Sequence, residues 1–99
     1  MRHASDASAP RAPRLRTSLW GRVRSSEGWS VVVVDRLTVR YSDGDGDVDV
    51  SGEAGGGPRT SFDLYPESLA YLPRERADLV VGRIREAFAH ARWHLRVEG

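Results

Sequence analysis

The sequence predicts an α+β fold: an antiparallel β-meander of four to five strands with one amphipathic α-helix packed on one face, in the order β-β-β-β-α-β. Three observations carry this expectation. Between Trp29 and Val50, short stretches of β-branched and alternating apolar residues are separated by turn residues. From about Arg74 to Arg92 the apolar residues recur instead at helical spacing. Trp93, Leu95 and Val97 then alternate with His94, Arg96 and Glu98, which predicts a closing strand.

Residues 1–16 are rich in Ala, Ser, Pro and Arg and hold almost no apolar side chain before Leu15. Such a segment cannot bury enough surface to offset its ordering entropy, so it is expected to be a disordered basic tail, with a single domain over 17–99. It lacks the uninterrupted apolar stretch of a secretory signal. Thr17 to Ser26 shows only a weak pattern, with Leu19 and Val23 on one side and Trp20 and Arg22 on the other, suggesting a short edge strand or a strap.

The four valines Val31–Val34 form a strand-length run of residues that lose little in an extended chain. Asp35-Arg36 reads as a tight turn, after which Leu37, Val39 and Tyr41 alternate with Thr38 and Arg40. Asp43-Gly44-Asp45-Gly46 supplies two Asp-Gly pairs, a strong hairpin signal, and Val48 and Val50 alternate with Asp47 and Asp49 on the return. Gly52 to Pro58 reads as a flexible loop. Phe62 and Leu64 then point inward from a strand that Pro66 ends, with a single helical turn expected at Pro66–Leu69. In the helix, Ala77, Val80, Val81, Ile84, Ala87, Phe88 and Ala91 fall in an arc of about 120°. Arg76 and Arg83 flank one edge of that arc, and Arg74, Arg85 and Arg92 the other. The expected core is Val31, Val33, Leu37, Val39, Phe62, Leu64, Val80, Ile84, Phe88 and Leu95.

At 99 residues the chain allows one domain, and no apolar run approaches the roughly 18 residues of a membrane span. Cysteine is absent, which excludes disulfides, thiolate metal sites and thiol nucleophiles and makes the cytoplasm the default compartment. All 15 cations are arginine, a usage that codon bias in a GC-rich genome explains. The near-neutral net charge of +1 is a cancellation. Residues 1–24 carry six arginines against Asp6, whereas residues 25–66 carry three arginines against eight acids. Each segment suits a different kind of partner.

Enzyme and metal signatures fail on spacing. Asp43, Asp45, Asp47 and Asp49 do not fit a calcium loop, because counting from Asp43 puts Val48 where the glycine belongs and Ala54 where the glutamate belongs. Glu86, His90 and His94 would share a face only if the helix ran through His94, and the alternation from Trp93 argues against that. Asp63 and Glu67 have no lysine to complete a nuclease-type site. No serine elbow or phosphate loop is present. The expectation is a non-enzymatic protein with no cofactor and no metal.

The run Gly28-Trp29-Ser30-Val31, the strand Leu37-Thr38-Val39-Arg40-Tyr41, the acidic glycine turn and Val48-Asp49-Val50-Ser51-Gly52-Glu53 resemble a family of small bacterial immunity proteins. These are cytosolic antidotes encoded beside polymorphic toxins. The similarity continues through Phe62-Asp63-Leu64-Tyr65-Pro66-Glu67-Ser68-Leu69, Ile84-Arg85-Glu86-Ala87-Phe88 and the closing strand, and covers residues 28–99. The resemblance implies an inhibitor that binds and masks a toxin domain. Toxins acting on nucleic acid or nucleotides present positive clefts, so the expected partner-binding residues are Asp43, Asp45, Asp47 and Asp49, read as solvent-exposed, with Glu53 close by in sequence. The second expectation is a nucleic-acid-binding accessory protein that uses the arm Arg2, Arg11, Arg14, Arg16, Arg22 and Arg24.

Overall fold

The computed structural model describes residues 14–17, 21–55 and 61–98. It is an α+β fold, a curled sheet of seven strands with one helix laid on its inner face. The strands are β1 (Leu15–Thr17), β2 (Arg22–Ser25), β3 (Ser30–Asp35), β4 (Thr38–Asp43), β5 (Gly46–Ala54), β6 (Ser61–Leu64) and β7 (His94–Val97). A 3-10 turn (Pro66–Leu69) and helix α1 (Arg74–Ala91) lie between β6 and β7.

Strands neighbour one another in sequence order, and all pairs but the last are antiparallel. The closing strand departs from the expected meander, because β7 runs parallel to β6. The chain leaves β6 and crosses by way of α1, so it re-enters the sheet in the direction it left. The sheet also has more than the four to five strands expected. Within the weak stretch around 17–26, Arg22–Ser25 form β2, which pairs antiparallel with β1, and β1 begins at Leu15, inside the stretch expected to be a tail. Residues 1–13, which carry the rest of that expectation, lie outside the described residues.

Alternation sorts the strands into two faces. Val23, Val31, Tyr41 and Val48 oppose one another across β2–β5, and Val39 opposes Val50. All are buried, together with Trp29, Phe62, Leu64 and Leu69. Val80, Ile84, Ala87 and Phe88 of α1 close this core from above. Strand β5 runs on through Gly52–Ala54, where the sequence suggests the start of a loop, and changes partner from β4 to β6 at Gly52. A Cβ there would run into the Phe62 ring and the Asp63 carbonyl, so only glycine lets β6 come this close. The curl brings the start of β2 near the start of β7, with Trp93 Cη2 3.8 Å from the place where Gly21 would carry a Cβ.

Of the expected core, Val33 and Leu95 are only partly buried, and Leu37 is 61% exposed. Asp35 pairs directly with Thr38, so Leu37 belongs to the turn and not to β4. Its N–H donates to Asp35 Oδ1 at 2.8 Å, which fixes the turn and leaves the side chain outside the sheet. Helix α1 ends at Arg92, which adopts φ 60° in the left-handed region. The Trp93 N–H reaches back to the Phe88 carbonyl at 2.9 Å. That stop turns Trp93 onto the Phe88 ring, 5.4 Å between centroids and edge-to-face, and hands His94 to β7. Glu86, His90 and His94 therefore do not share one helical face.

Candidate partner-binding surface

The inner face of the sheet is covered by α1, whereas the outer face carries the even-numbered residues of β1–β4 and the odd-numbered residues of the returning strand β5. Two rows cross it. Arg16 opposes Arg24, which is followed by Ser30, Ser42 and Asp47 on successive strands. Beside that row lie Arg22, Val32, Arg40 and Asp49. Farther along, Glu53 opposes Asp63, which opposes Arg96. The outer face is thus basic at β1–β2 and mixed over β4–β7, where Arg40 faces Asp49 and Arg96 Nε lies 3.8 Å from Asp63 Oδ1, with Asp47 and Glu53 near the two ends of β5.

The expected site residues separate on this frame. Asp47, Asp49 and Glu53 stand exposed on the outer face of β5, and Asp45 stands at the hairpin tip with its side chain 87% exposed. Asp49 is paired, with Arg40 Nε donating at 2.7 Å and Nη2 at 3.1 Å to its two oxygens. That bidentate contact holds the Asp49 carboxyl below its ordinary range. Asp47 and Glu53 have no ion pair among the described residues.

Asp43 does not belong with the others. It lies two residues after the buried Tyr41 and therefore faces the helix, with a side chain only 10% exposed. Arg76 donates to it twice, at 2.6 and 2.9 Å, and the Tyr41 hydroxyl donates at 2.6 Å. The backbone N–H of Asp45 adds a further bond at 2.8 Å, which closes the hairpin turn. Arg76 is the main cause that holds the Asp43 carboxyl far below the usual carboxylate range, against the opposing effect of burial. The same contact raises Arg76 above the ordinary guanidinium value. Arg83 donates to the Tyr41 hydroxyl at 2.6 Å, and burial is the first cause that pushes that phenol up. Arg76 lies over the Tyr41 ring at 5.6 Å and Arg83 over the Trp29 ring at 5.5 Å. The expectation that all four hairpin aspartates are solvated is corrected at Asp43, which ties the hairpin to the helix.

The sequence singles out Arg76 and Arg83 only as flanks of the apolar arc. Their role as clamps on the hairpin depends on register. The signal available for it is that Tyr41 and Asp43 share strand parity.

A shallow depression of about 300 Å³ opens near the basic end, lined among others by Arg22, Arg24, Ser30 and Ser42. Arg22 donates to Ser30 Oγ at 3.4 Å. Among the described residues, no group of three His, Asp or Glu side chains is placed to hold a metal ion, and no helix is long and apolar enough to cross a membrane. No family model matches the chain, and neither a curated protein nor a solved structure matches it.

Proposed function

We propose that this chain is a non-enzymatic protein-binding module of the immunity-protein kind, which neutralises a toxin-like protein by presenting the exposed carboxylates of β5 and its hairpin tip to a basic cleft. The observation that carries the reading is the line of exposed carboxylates Asp45, Asp47 and Glu53 running from the hairpin tip along β5, on a sheet face that no element of the described chain covers. Asp63, beside Glu53, is shared with Arg96, whose Nε lies 3.8 Å away. An inhibitor with that surface gains association rate and orientation against a positive target without any catalytic group of its own. The sequence resemblance over residues 28–99 points the same way. Asp43 serves this function by holding the hairpin in place, and Asp49 is shared with Arg40.

The test is association with the product of the gene next to this one. The variant Asp45→Ser/Asp47→Ser/Glu53→Ser leaves the Asp43 clamp and the Arg40–Asp49 pair intact. It is expected to associate roughly tenfold more slowly at low salt and to lose most of the wild-type salt dependence. Equal association rates for wild type and variant would remove these carboxylates as the binding surface. A neighbouring gene product that neither binds nor is inhibited would sink the antidote reading.

A further inference from the structure

The outer face carries unpaired charges of both signs, set apart by an apolar strand. At the level of Ser30 the residues across β1–β5 are Arg16, Arg24, Ser30, Ser42 and Asp47. Arg16, Arg24 and Asp47 are exposed and form no ion pair among the described residues. Arg16 stands directly across from Arg24, a like-charge pair that costs stability when nothing neutralises it. One step toward the hairpin tip, Arg14 is in register with Ser26, whose N–H donates to its carbonyl at 2.8 Å. Asp45 lies two residues before Asp47 at that same level. The cations thus lie on β1–β2 to one side of β3, and the carboxylates on β5 and its tip to the other. Between them β3 presents Val32, which is half-buried, and Val34, which is 43% exposed.

We infer that this face is a two-fold interface between two copies of the chain, packed sheet to sheet about an axis along β3. Rotation about that axis lays β1 of one copy over β5 of the other, and β3 over β3. Arg16 then meets Asp47 of the second copy and Arg14 meets its Asp45, and each contact occurs twice. Val32 and Val34 meet their own counterparts on the axis, where an interface is most shielded from water. Arg22 comes over Arg40, whose charge Asp49 already neutralises through contacts of 2.7 and 3.1 Å. A partner of single sign satisfies half of this arrangement, whereas a second copy satisfies both halves. Sheets packed face to face cross at about 30°, which displaces side chains two strands from the axis by roughly 5 Å, within the reach of an arginine. The five strands span about 19 Å, and β3 runs about 20 Å, so each copy contributes roughly 400 Å². That is below the area of a permanent dimer, so the association is reversible and sensitive to salt.

The interface covers Asp45 and Asp47, so a toxin-like partner has to displace the second copy. It does not depend on such a partner, and the test uses the chain alone. Sedimentation velocity of the full chain from about 10 µM to about 1 mM should show a reversible monomer–dimer equilibrium at 50 mM salt that stops at two copies. At 500 mM salt the dissociation constant should rise by at least about tenfold. Arg14→Glu/Arg16→Glu and Asp45→Arg/Asp47→Arg should each stay monomeric over that range, because every outer contact then sets like charge against like. Mixed one to one, the two variants should form a heterodimer, since the reversed charges of one meet those of the other. Recovery in the mixture also separates a broken interface from a failure to fold. Arg74→Glu/Arg85→Glu, on the exposed side of α1, carries the same net charge as the first variant. It should dimerise as wild type does and pair far less with Asp45→Arg/Asp47→Arg. The inference is overturned if wild type stays monomeric at 1 mM protein and 50 mM salt, if association continues past the dimer, or if the mixed variants fail to pair. Equal pairing by Arg74→Glu/Arg85→Glu would also overturn it, because net charge alone would then account for the attraction.

Discussion

Asp43 and Asp49 sit on adjacent strands of one hairpin, each held by two guanidinium nitrogens of an arginine, yet they do different work. Asp49 and Arg40 face outward, with side chains 49% and 40% exposed. Asp43 and Arg76 face the helix, at 10% and 19%, and carry Tyr41 and Arg83 with them. The outer pair joins neighbouring strands that the backbone ladder already joins. The inner pair spans 33 residues of sequence and ties the hairpin to α1. Identical chemistry thus marks a surface in one place and a tertiary joint in the other. Burial decides which, since a screened pair adds little and a shielded pair leaves a stranded charge when broken.

The largest effect should follow from cutting the inner joint. Asp43→Ala removes the acceptor for Arg76 and Tyr41 and leaves the guanidinium against the Tyr41 ring. A loss of about 2 kcal/mol is expected, below the range for a fully shielded pair because Arg76 retains some contact with solvent. Chemical denaturation reads it directly. A stability equal to wild type would mean that the hairpin is held by its ladder alone and that the contrast between the two aspartates is empty. Asp43→Asn should lose less, because the amide oxygen still accepts from Tyr41 or Arg76.

That joint also shows where the sequence is legible and where it stops. The stripe Val80, Ile84, Phe88 and the alternation Val39, Tyr41 and Val48, Val50 are local periodicities, and they place the helix and the hairpin correctly. Asp43 carries the opposite lesson. In composition it is one of four aspartates around a glycine turn, whereas in register it shares the parity of Tyr41. The two-residue turn Gly44-Asp45 fixes that parity across the hairpin. Leu37 fails for a related reason, since it keeps the phase of Val39 but falls beyond the last strand pair. The parallel entry of β7 depends on the path of α1, which no local pattern encodes. Of the candidate surface, the acidity is legible and alternation sends Asp47 and Asp49 outward, whereas the inward turn of Asp43 is hidden by its place beside the glycine turn.

A smaller effect should appear with acid. The Asp43 carboxyl lies below its ordinary 3.8 in the folded chain, chiefly through Arg76. A carboxyl lowered by folding stabilises the native state fully above its unfolded value and gives that contribution up as pH falls toward the folded value. Wild type should therefore lose stability as pH drops below about 4, on top of the general effect of added positive charge. Asp43→Ala should lose less over the same interval, so the two thermal midpoints should converge from pH 6 down to pH 2. Parallel curves would mean that another carboxylate carries the acid response. Asp49 is also lowered, but its exposure leaves it screened and makes its share smaller.

The smallest effect belongs to the outer pair, and its smallness sharpens the comparison. Arg40→Ala, Asp49→Ala and the double variant form a cycle that isolates their coupling from the changes each makes alone. All three should keep Tm within about 2 °C of wild type, because both side chains are open to solvent and no buried group loses a partner. Any coupling should vanish in 0.5 M salt, where charges this exposed are screened. A coupling that persists there would make the outer pair a second joint. The carboxylates of β5 would then be organised by Arg40 and could not be altered residue by residue without moving the sheet. Its absence leaves Asp49 free to exchange Arg40 for a cation on a partner, which an inhibitor surface on β5 requires.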